Sequence, residues 1–530
     1  MDMKRSPSEL ALATPAPAKK QAPSHQCSLL ARNMEAPSGP YKFKTKIVCT
    51  LGPSCRTVDI LKDLLRSGMN IARFNFSHGS HEYHQETLDM LREASAASKI
   101  PCAVLLDTKG PEIRTGMLTD GKPIMLERNR EITLTTDYAT VGNENLIACS
   151  YANLARDVAP GSMILAADGS ITLKVVSTDV ANGTVVCRCE NNAKLGERKN
   201  MNLPGVIVDL PTITEKDTED ILQWGVKNKV DFIAASFVRK GSDLTNIRKV
   251  LGPAGKDIHL ISKIENEEGL DNFEAILENS DGIMVARGDL GMEIPMEKIF
   301  MVQKRMINLC NLAGKPVITA TQMLESMTAN PRPTRAEATD VANAVLDGTD
   351  AVMLSGETAA GPYPVEAVKI MSSICEEAES YLDYSALFQQ IMNKQMVPMT
   401  TIESLASSAV RASEKVDAKL LIVLSRSGRT AKLVAKYRPS MPVLMVAIPE
   451  DGSEQALEKS KKVIAQCLCA RGIIPILAEN LEGEGRLRRQ MMAATDYARK
   501  NGLVHPGNKI VGIHKVDADA IMRIVDIPIA

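Results

Sequence analysis

From Lys46 onward the chain alternates short runs rich in β-branched residues with longer amphipathic stretches, and eight such pairs fit before Leu382. The runs are KIVCTLG, NIARFNF, PCAVLLDT, DFIAASF, IHLISKIE, GIMVARGD, KPVITATQ and DAVMLSGE. A strand followed by a helix, repeated, is the pattern of parallel βα units, and eight of them close into a (β/α)8 TIM barrel. The first two helices are expected to start near Thr57 and His81. Such a barrel carries its chemistry on the loops at the C-terminal ends of its strands. The polar residues obey that rule: Thr50; Arg73, Asn75 and Ser77; Asp107 and Thr108; Ser236; Lys263 and Glu265; Arg287 and Asp289; Thr321; and Ser355 with Glu357 all fall at strand ends. An open doubly wound sheet competes, but it would gather its ligand groups at one switch point.

The alternation breaks between strands three and four. Residues 111–210 instead hold ILAADGSITLKVV and VANGTVVCRCE, alternating strands joined at DG and NG turns, which read as hairpins of a β-rich insertion. Because it leaves the barrel at the catalytic rim, it is placed to act as a lid that excludes water. After Leu382 a further α/β pattern runs through AKLLIVLS, VLMVAI, IIPILAE, KIVGIHK and IMRIVDIP. The expected organisation is an extension over 1–40, a barrel over 41–110 and 211–382, the lid over 111–210 and a C-terminal α/β domain over 383–530. The first forty residues are rich in Pro, Ala and Ser without sustained periodicity and are expected to be disordered. Asp2, Glu9 and Glu35 argue against a transit peptide there.

Composition adds exclusions. With 63 basic and 64 acidic residues the chain shows no charge bias toward nucleic acid or an anionic membrane. No apolar run reaches the ~18 residues of a membrane span. Aromatics are only 3%, so the core must be aliphatic. Eleven cysteines without a CxxC pair read as reduced thiols, which favours a cytoplasmic protein. Cys187/Cys189 and Cys467/Cys469 lack a second pair to complete a zinc site and read as packing. Cys49 is expected in the core and Cys55 as an exposed thiol near the site. His78, His81 and His84 read as an exposed helix face rather than a metal site, and Trp224, the sole tryptophan, as helix packing.

The stretch HLISKIENEEG carries the most informative pair. Residues two apart in a strand share a face, so Lys263 and Glu265 both project into the barrel mouth. An internal salt bridge explains that pair alone. It does not explain Asp289 at the next strand end, a second carboxylate facing the same mouth. Two carboxylates with few other protein ligands suit Mg²⁺, and a lysine beside it adds positive charge for a phosphoryl group or an enolate. No Walker loop and no kinase-type glycine loop with an HRD element occurs, so phosphate must find another cradle. Arg73, Lys263 and Arg287 are candidates, although Arg287 can equally pair with a carboxylate.

The stretches TKIVCTLGPS, GMNIARFNFSHG, LDTKGPEIRTG, ISKIENEEG, GIMVARGDLG, ATQMLESM and PRPTRAEATDVANAVLDGTDAVMLSGETA resemble the pyruvate kinase family, in that family's order and over nearly the whole chain after Lys44. The resemblance implies phosphoryl transfer from phosphoenolpyruvate to ADP, giving pyruvate and ATP. It implies that Arg73 binds the phosphate and that Lys263 stabilises the phosphoryl group and the enolate. It gives Glu265 and Asp289 as Mg²⁺ ligands, Gly288 and Asp289 as backbone contacts to the substrate carboxylate, and Thr321 as its partner in proton delivery, with Ser355 in a relay. Asn75, Ser77, Asp107 and Thr108 are implied as a K⁺ site, with Glu112 the mark of K⁺-dependent members, and Asn75, His78, Arg114 and Lys199 as nucleotide contacts. A homotetramer is implied as well.

LSRSGRTAKLVAKYRP sets hydroxyls, a glycine and two arginines where a strand meets a helix. Ser425, Arg426, Ser427, Gly428, Arg429 and Thr430 thus form a candidate phosphate loop. They resemble the family's loop for a sugar-phosphate activator such as fructose 1,6-bisphosphate. The family usually completes that site with a glycine-containing loop before the last strand, where this chain has the short acidic connection in GIHKVDADAIMRIV. A monophosphate, another bisphosphate or no activator stay open, and Arg488 is a weak candidate for a second phosphate. Two other classes compete with a kinase. A non-enzymatic regulator of the same fold would be expected to have lost Lys263 or a metal ligand, and another enolate enzyme would lack the lid and the K⁺ cluster.

Overall fold

The computed structural model describes residues 43–478, 485–516 and 519–529. The proline-rich extension, Cys27 and the centre of the acidic connection before the last strand lie outside the described residues.

Eight parallel strands close into a barrel in chain order: Lys46–Thr50, Met69–Asn75, Ala103–Asp107, Phe232–Ala235, His259–Ile264, Gly282–Ala286, Val317–Ala320 and Ala351–Leu354. Strand one seals the ring against strand eight in the register Lys46↔Ala351 to Cys49↔Leu354. The helices begin where their caps dictate. The Thr57 hydroxyl accepts from the Ile60 N–H at the start of Val58–Ser67, and Ser80 does the same for Tyr83 at the start of His81–Ser98.

Strand alternation divides the barrel into two cores. Ile47, Cys49, Ala72, Phe74, Val104 and Leu106 point outward into the helical layer, while Val48, Ile71, Leu105, Ala234, Ile261, Met284 and Ile318 fill the interior. Leu468 and Cys469, from the C-terminal domain, join that interior cluster. The inward rows then run into polar residues: Val48 leads to Thr50, Ile71 to Arg73 and Asn75, Leu105 to Asp107, Ala234 to Ser236, and Ile261 to Lys263 and Glu265. An apolar floor thus supports a polar rim.

The insertion forms a seven-stranded sheet with a separate two-stranded piece. Its DG turn joins Met163–Ala166 to Ile171–Asp179 and its NG turn joins that strand to Thr184–Cys189, both pairs antiparallel. The last domain is a five-stranded sheet in the order Ile473–Leu477, Val443–Ala447, Ala418–Ser425, Lys509–Val516 and Asp519–Asp526. Its first four strands are parallel and the final pair is an antiparallel hairpin. Among the described residues no helix is long and apolar enough to cross a membrane.

Three smaller expectations meet the structure differently. Cys55 is buried rather than exposed: its thiol is fully covered, hydrogen-bonds within the Gly52 turn and is pushed up to about 11 by burial. The histidines do not form an exposed face. His84 is 3% exposed and stacks on Phe76 with ring centroids 4.3 Å apart, and His81 pairs with Asp220 at 2.7 Å. Only His78 of the three is exposed. Asp289 sits in the first turn of the helix Arg287–Glu293 rather than in a strand. Trp224 does pack, against Phe74 and Phe76, and Cys49, Cys187, Cys189, Cys467 and Cys469 are buried.

Candidate active site

Lys263 is the centre of the rim. Its ammonium lies 3.0 Å from Glu265 Oε1 and 3.1 Å from Asp107 Oδ1, and donates to Ser236 Oγ at 2.7 Å. Arg73 closes the cluster, with Nε 2.6 Å from Asp107 Oδ2 and Nη1 donating to Thr50 Oγ1 at 2.9 Å. All these side chains are at least nine-tenths buried by residue. Burial alone would pull the Lys263 ammonium down, but Asp107 and Glu265 outweigh it and hold the group well above its ordinary value. For Asp107 burial pushes up, and Arg73 and Lys263 together bring it below the usual carboxylate range. Two fixed cations therefore stand at the mouth around one firmly ionised carboxylate, with desolvation strengthening each interaction.

Glu265 and Asp289 behave oppositely. Burial raises both against the pull of the Lys263 ammonium, and the neighbouring Asp289 charge raises Glu265 further. Two carboxylates that resist ionising together are a donor set a divalent cation would relieve, and Mg²⁺ would fill its remaining positions with water and substrate oxygens. The Glu265 carboxylate also accepts the Phe237 N–H at 2.6 Å, which fixes its orientation. Among the described residues no cluster of three or more His, Cys, Asp or Glu groups offers a complete metal cage.

The neighbouring loops converge on the same mouth. Thr321 Oγ1 accepts the Gly288 N–H at 2.8 Å and donates to the Ala320 carbonyl at 2.6 Å, while its backbone is left-handed at φ 67°. Ser355 Oγ, at the start of the eighth loop, is buried with no hydrogen-bond partner among the described residues. Glu357 fixes that loop and the seventh at once, accepting from the Ser355 N–H at 2.6 Å and the Leu324 N–H at 3.1 Å. Arg287 offers no free charge to a phosphate. It pairs with Asp340 at 2.8 Å and donates to main-chain carbonyls of the seventh loop.

Asn75 stands opposite Asp107 in register, its Oδ1 accepting the Ser77 N–H at 3.1 Å, and Thr108 Oγ1 accepts the Ser236 N–H at 3.0 Å. The structure thus brings the four oxygen-bearing residues Asn75, Ser77, Asp107 and Thr108 onto two adjacent strand ends. On the lid side Arg114 pairs with Glu112 and donates to the Arg198 carbonyl at 2.8 Å, one strand from Lys199, which is exposed. His78 follows Asn75 in a tight turn closed by its N–H to the Asn75 carbonyl.

Sequence reasoning passed over Asp217. It is fully buried and accepts the N–H groups of Lys109 and Gly110, fixing the start of the lid connection. Its signal was the capping box from Thr214 to Asp217, present in the TITEKD stretch. Ser236 and Glu357 were placed at strand ends without a role.

In the C-terminal domain the candidate phosphate loop turns as its composition suggests. Ser425 Oγ accepts the Gly428 N–H at 3.0 Å, Gly428 has φ 73°, and the helix Arg429–Lys436 follows. A Cβ on Gly428 would come within 2.6 Å of the Cys467 sulfur, so this position needs glycine for conformation and for space. Arg426, Ser427 and Arg429 are exposed around it, Thr430 is half-buried, and Arg488 is exposed on the helix Arg486–Lys500.

The chain is similar to known proteins over most of its length. Residues 42–368 match the model of the pyruvate kinase barrel domain and residues 403–524 that of the pyruvate kinase alpha/beta domain. A cytosolic pyruvate kinase isozyme of Solanum tuberosum is 60% identical over 91% of this chain and 95% of its own length, and a pyruvate kinase of Leishmania mexicana is 46% identical over 88% and 92%. The crystal structure of a pyruvate kinase from Cryptosporidium parvum superposes with a TM-score of 0.86 at 46% identity, covering 92% of this chain and 96% of that one. The chain belongs to the pyruvate kinase family of phosphotransferases.

Proposed function

We propose that the chain moves the phosphoryl group of phosphoenolpyruvate to ADP at the barrel mouth. The observation that carries this reading is the Lys263 ammonium, buried between Asp107 and Glu265 with Arg73 beside it. In the reaction the bond between phosphorus and the enol oxygen breaks, and a new one forms to the terminal oxygen of ADP. The enolate left behind takes a proton at its methylene carbon and becomes pyruvate.

Arg73 binds the phosphate, and Lys263 neutralises the charge that moves from it to the enolate oxygen. Glu265 and Asp289 would hold Mg²⁺, which supplies Lewis-acid stabilisation of the substrate oxygens when bound. Gly288 and Asp289 orient the substrate carboxylate from the start of their helix. Thr321 contacts that carboxylate and helps deliver the proton, with the unpartnered Ser355 hydroxyl in the relay. Asn75, Ser77, Asp107 and Thr108 form a K⁺ site, with Glu112 favouring dependence on that ion. Asn75 and His78 on the barrel, with Arg114 and Lys199 on the lid, take the nucleotide, so that lid closure excludes water.

The loop from Ser425 to Thr430 binds the phosphate of a sugar-phosphate activator. A homotetramer and a cytoplasmic location complete the reading, the latter supported by the cytosolic names of the plant relatives. The test is pyruvate formation by the purified protein from phosphoenolpyruvate and ADP with Mg²⁺ and K⁺, scanned with candidate sugar phosphates. A folded protein inactive under every condition would overturn it.

A further inference from the structure

Thr321 is β-branched, yet both it and Gln322 are left-handed, with φ of 67° and 53°. A β-branched residue avoids that region, so something outside the segment must hold it there. Two consecutive left-handed residues turn successive carbonyls toward one side. The Arg287 guanidinium fills that side. Its Nε lies 3.2 Å from the carbonyl oxygens of both Ala320 and Thr321, and its Nη2 donates to Thr321 O at 2.6 Å and Gln322 O at 3.3 Å. The opposite edge of the same fork is anchored on Asp340, with Nη1 2.8 Å from Oδ2 and 2.9 Å from Oδ1. The next residue, Gly288, gives its N–H to the Thr321 hydroxyl. One short stretch of the sixth loop thus holds both the backbone and the side chain of Thr321.

We infer that Arg287, braced by Asp340, is a positioning residue for proton delivery: it enforces the left-handed backbone that aims the Thr321 hydroxyl. It touches neither phosphate nor enolate. Its loss therefore spares phosphate binding and misplaces the group beside the methylene carbon. Only a planar fork with several donors reaches three carbonyls and a carboxylate together, so lysine cannot replace it fully. The inference rests on the role proposed above for Thr321.

The experiment measures exchange of pyruvate methyl hydrogens into D2O, with Mg²⁺, K⁺ and ATP present, alongside kcat and KM for phosphoenolpyruvate. It uses the full chain and the variants Arg287→Gln, Arg287→Lys, Asp340→Asn, Thr321→Ala and Arg287→Gln/Thr321→Ala. Arg287→Gln is expected to slow exchange on the order of 10- to 100-fold, as misplacement of a reacting group does, with KM within about 3-fold of the parent. Arg287→Lys and Asp340→Asn should fall between, and the double variant should be no slower than Thr321→Ala alone. Exchange near the parental rate in Arg287→Gln, with Thr321→Ala slow, overturns the inference while leaving Thr321 in place. Multiplicative losses in the double variant, or a rise in KM matching the loss in exchange, also overturn it. Should Arg287→Gln fail to fold, Asp340→Asn at the parental rate does the same. Thr321→Ala at the parental rate overturns the role of Thr321 and this inference with it.

Discussion

Lys263 Nζ and Asp107 Oδ1 lie 3.1 Å apart across the barrel mouth, joined over an intervening strand. The same carboxylate holds Arg73 through its other oxygen at 2.6 Å. One anion therefore sets the position of both cations that the proposed phosphoryl transfer uses.

Removing that anion should be expensive. Asp107→Asn leaves two buried cations with less counter-charge, and breaking such a pair costs about 3–5 kcal/mol. The melting temperature should drop by several degrees. Lys263→Met placed on top should restore part of the loss, because one stranded charge is then gone. A full additive loss in the double variant would contradict the shared-anion arrangement.

Asp231 gives the pH dependence a definite sign. Burial pushes its carboxyl up to about 6, against the Val104 N–H, Lys462 and Arg92, which favour the ionised form. A group raised in the folded state stabilises at low pH, and that stability is lost as pH rises through about 6. Asp231→Asn keeps an acceptor for Val104 and abolishes the titration. Relative to the parent, the variant should gain up to about 3 kcal/mol between pH 4 and pH 7.5, at ~1.4 kcal/mol per pKa unit. Melting curves at both pH values check this, and a difference that shrinks with rising pH would oppose it.

Potassium provides a third test. In a buffer with sodium as the sole monovalent cation, kcat should fall at least about tenfold, and Glu112→Lys should lessen the dependence by bringing a fixed cation to the mouth. Full activity without potassium would remove the role given to Asn75, Ser77, Asp107 and Thr108.

A fourth concerns the C-terminal loop. Thr430→Glu adds a negative charge to the first turn after Gly428, where an incoming phosphate would meet repulsion. Where a sugar phosphate such as fructose 1,6-bisphosphate activates the parent, read as a drop in KM for phosphoenolpyruvate, that activation should disappear in the variant while activity without activator stays unchanged. Equal activation of variant and parent would place the effector elsewhere.

Much of this was legible in the chain. The eight strands were countable because each is a short β-branched run followed by an amphipathic helix, and the period of two already placed Lys263 and Glu265 on one face. What escaped were relationships between distant segments. That Asp107 holds both Arg73 and Lys263 depends on the barrel's closure, which sets strands two to five side by side. The burial of Cys55 and His84 depends on a turn folding back and on the Phe74, Phe76 and Trp224 cluster. Arg287 showed its charge but not its partner, because Asp340 belongs to a helix more than fifty residues later. The left-handed Thr321 carries no local mark at all, since no glycine or asparagine announces it.

The most direct measurement compares parent and Lys263→Met for pyruvate formation from phosphoenolpyruvate and ADP at saturating Mg²⁺ and K⁺. A loss of about a thousandfold or more in kcat, in a variant whose circular dichroism and melting curve show a folded barrel, is the result expected of a charge-stabilising group at the reacting centre. A folded variant within about tenfold of the parent would show that phosphoryl transfer does not depend on the Lys263 ammonium, and the mechanism would have to be rebuilt around another cation.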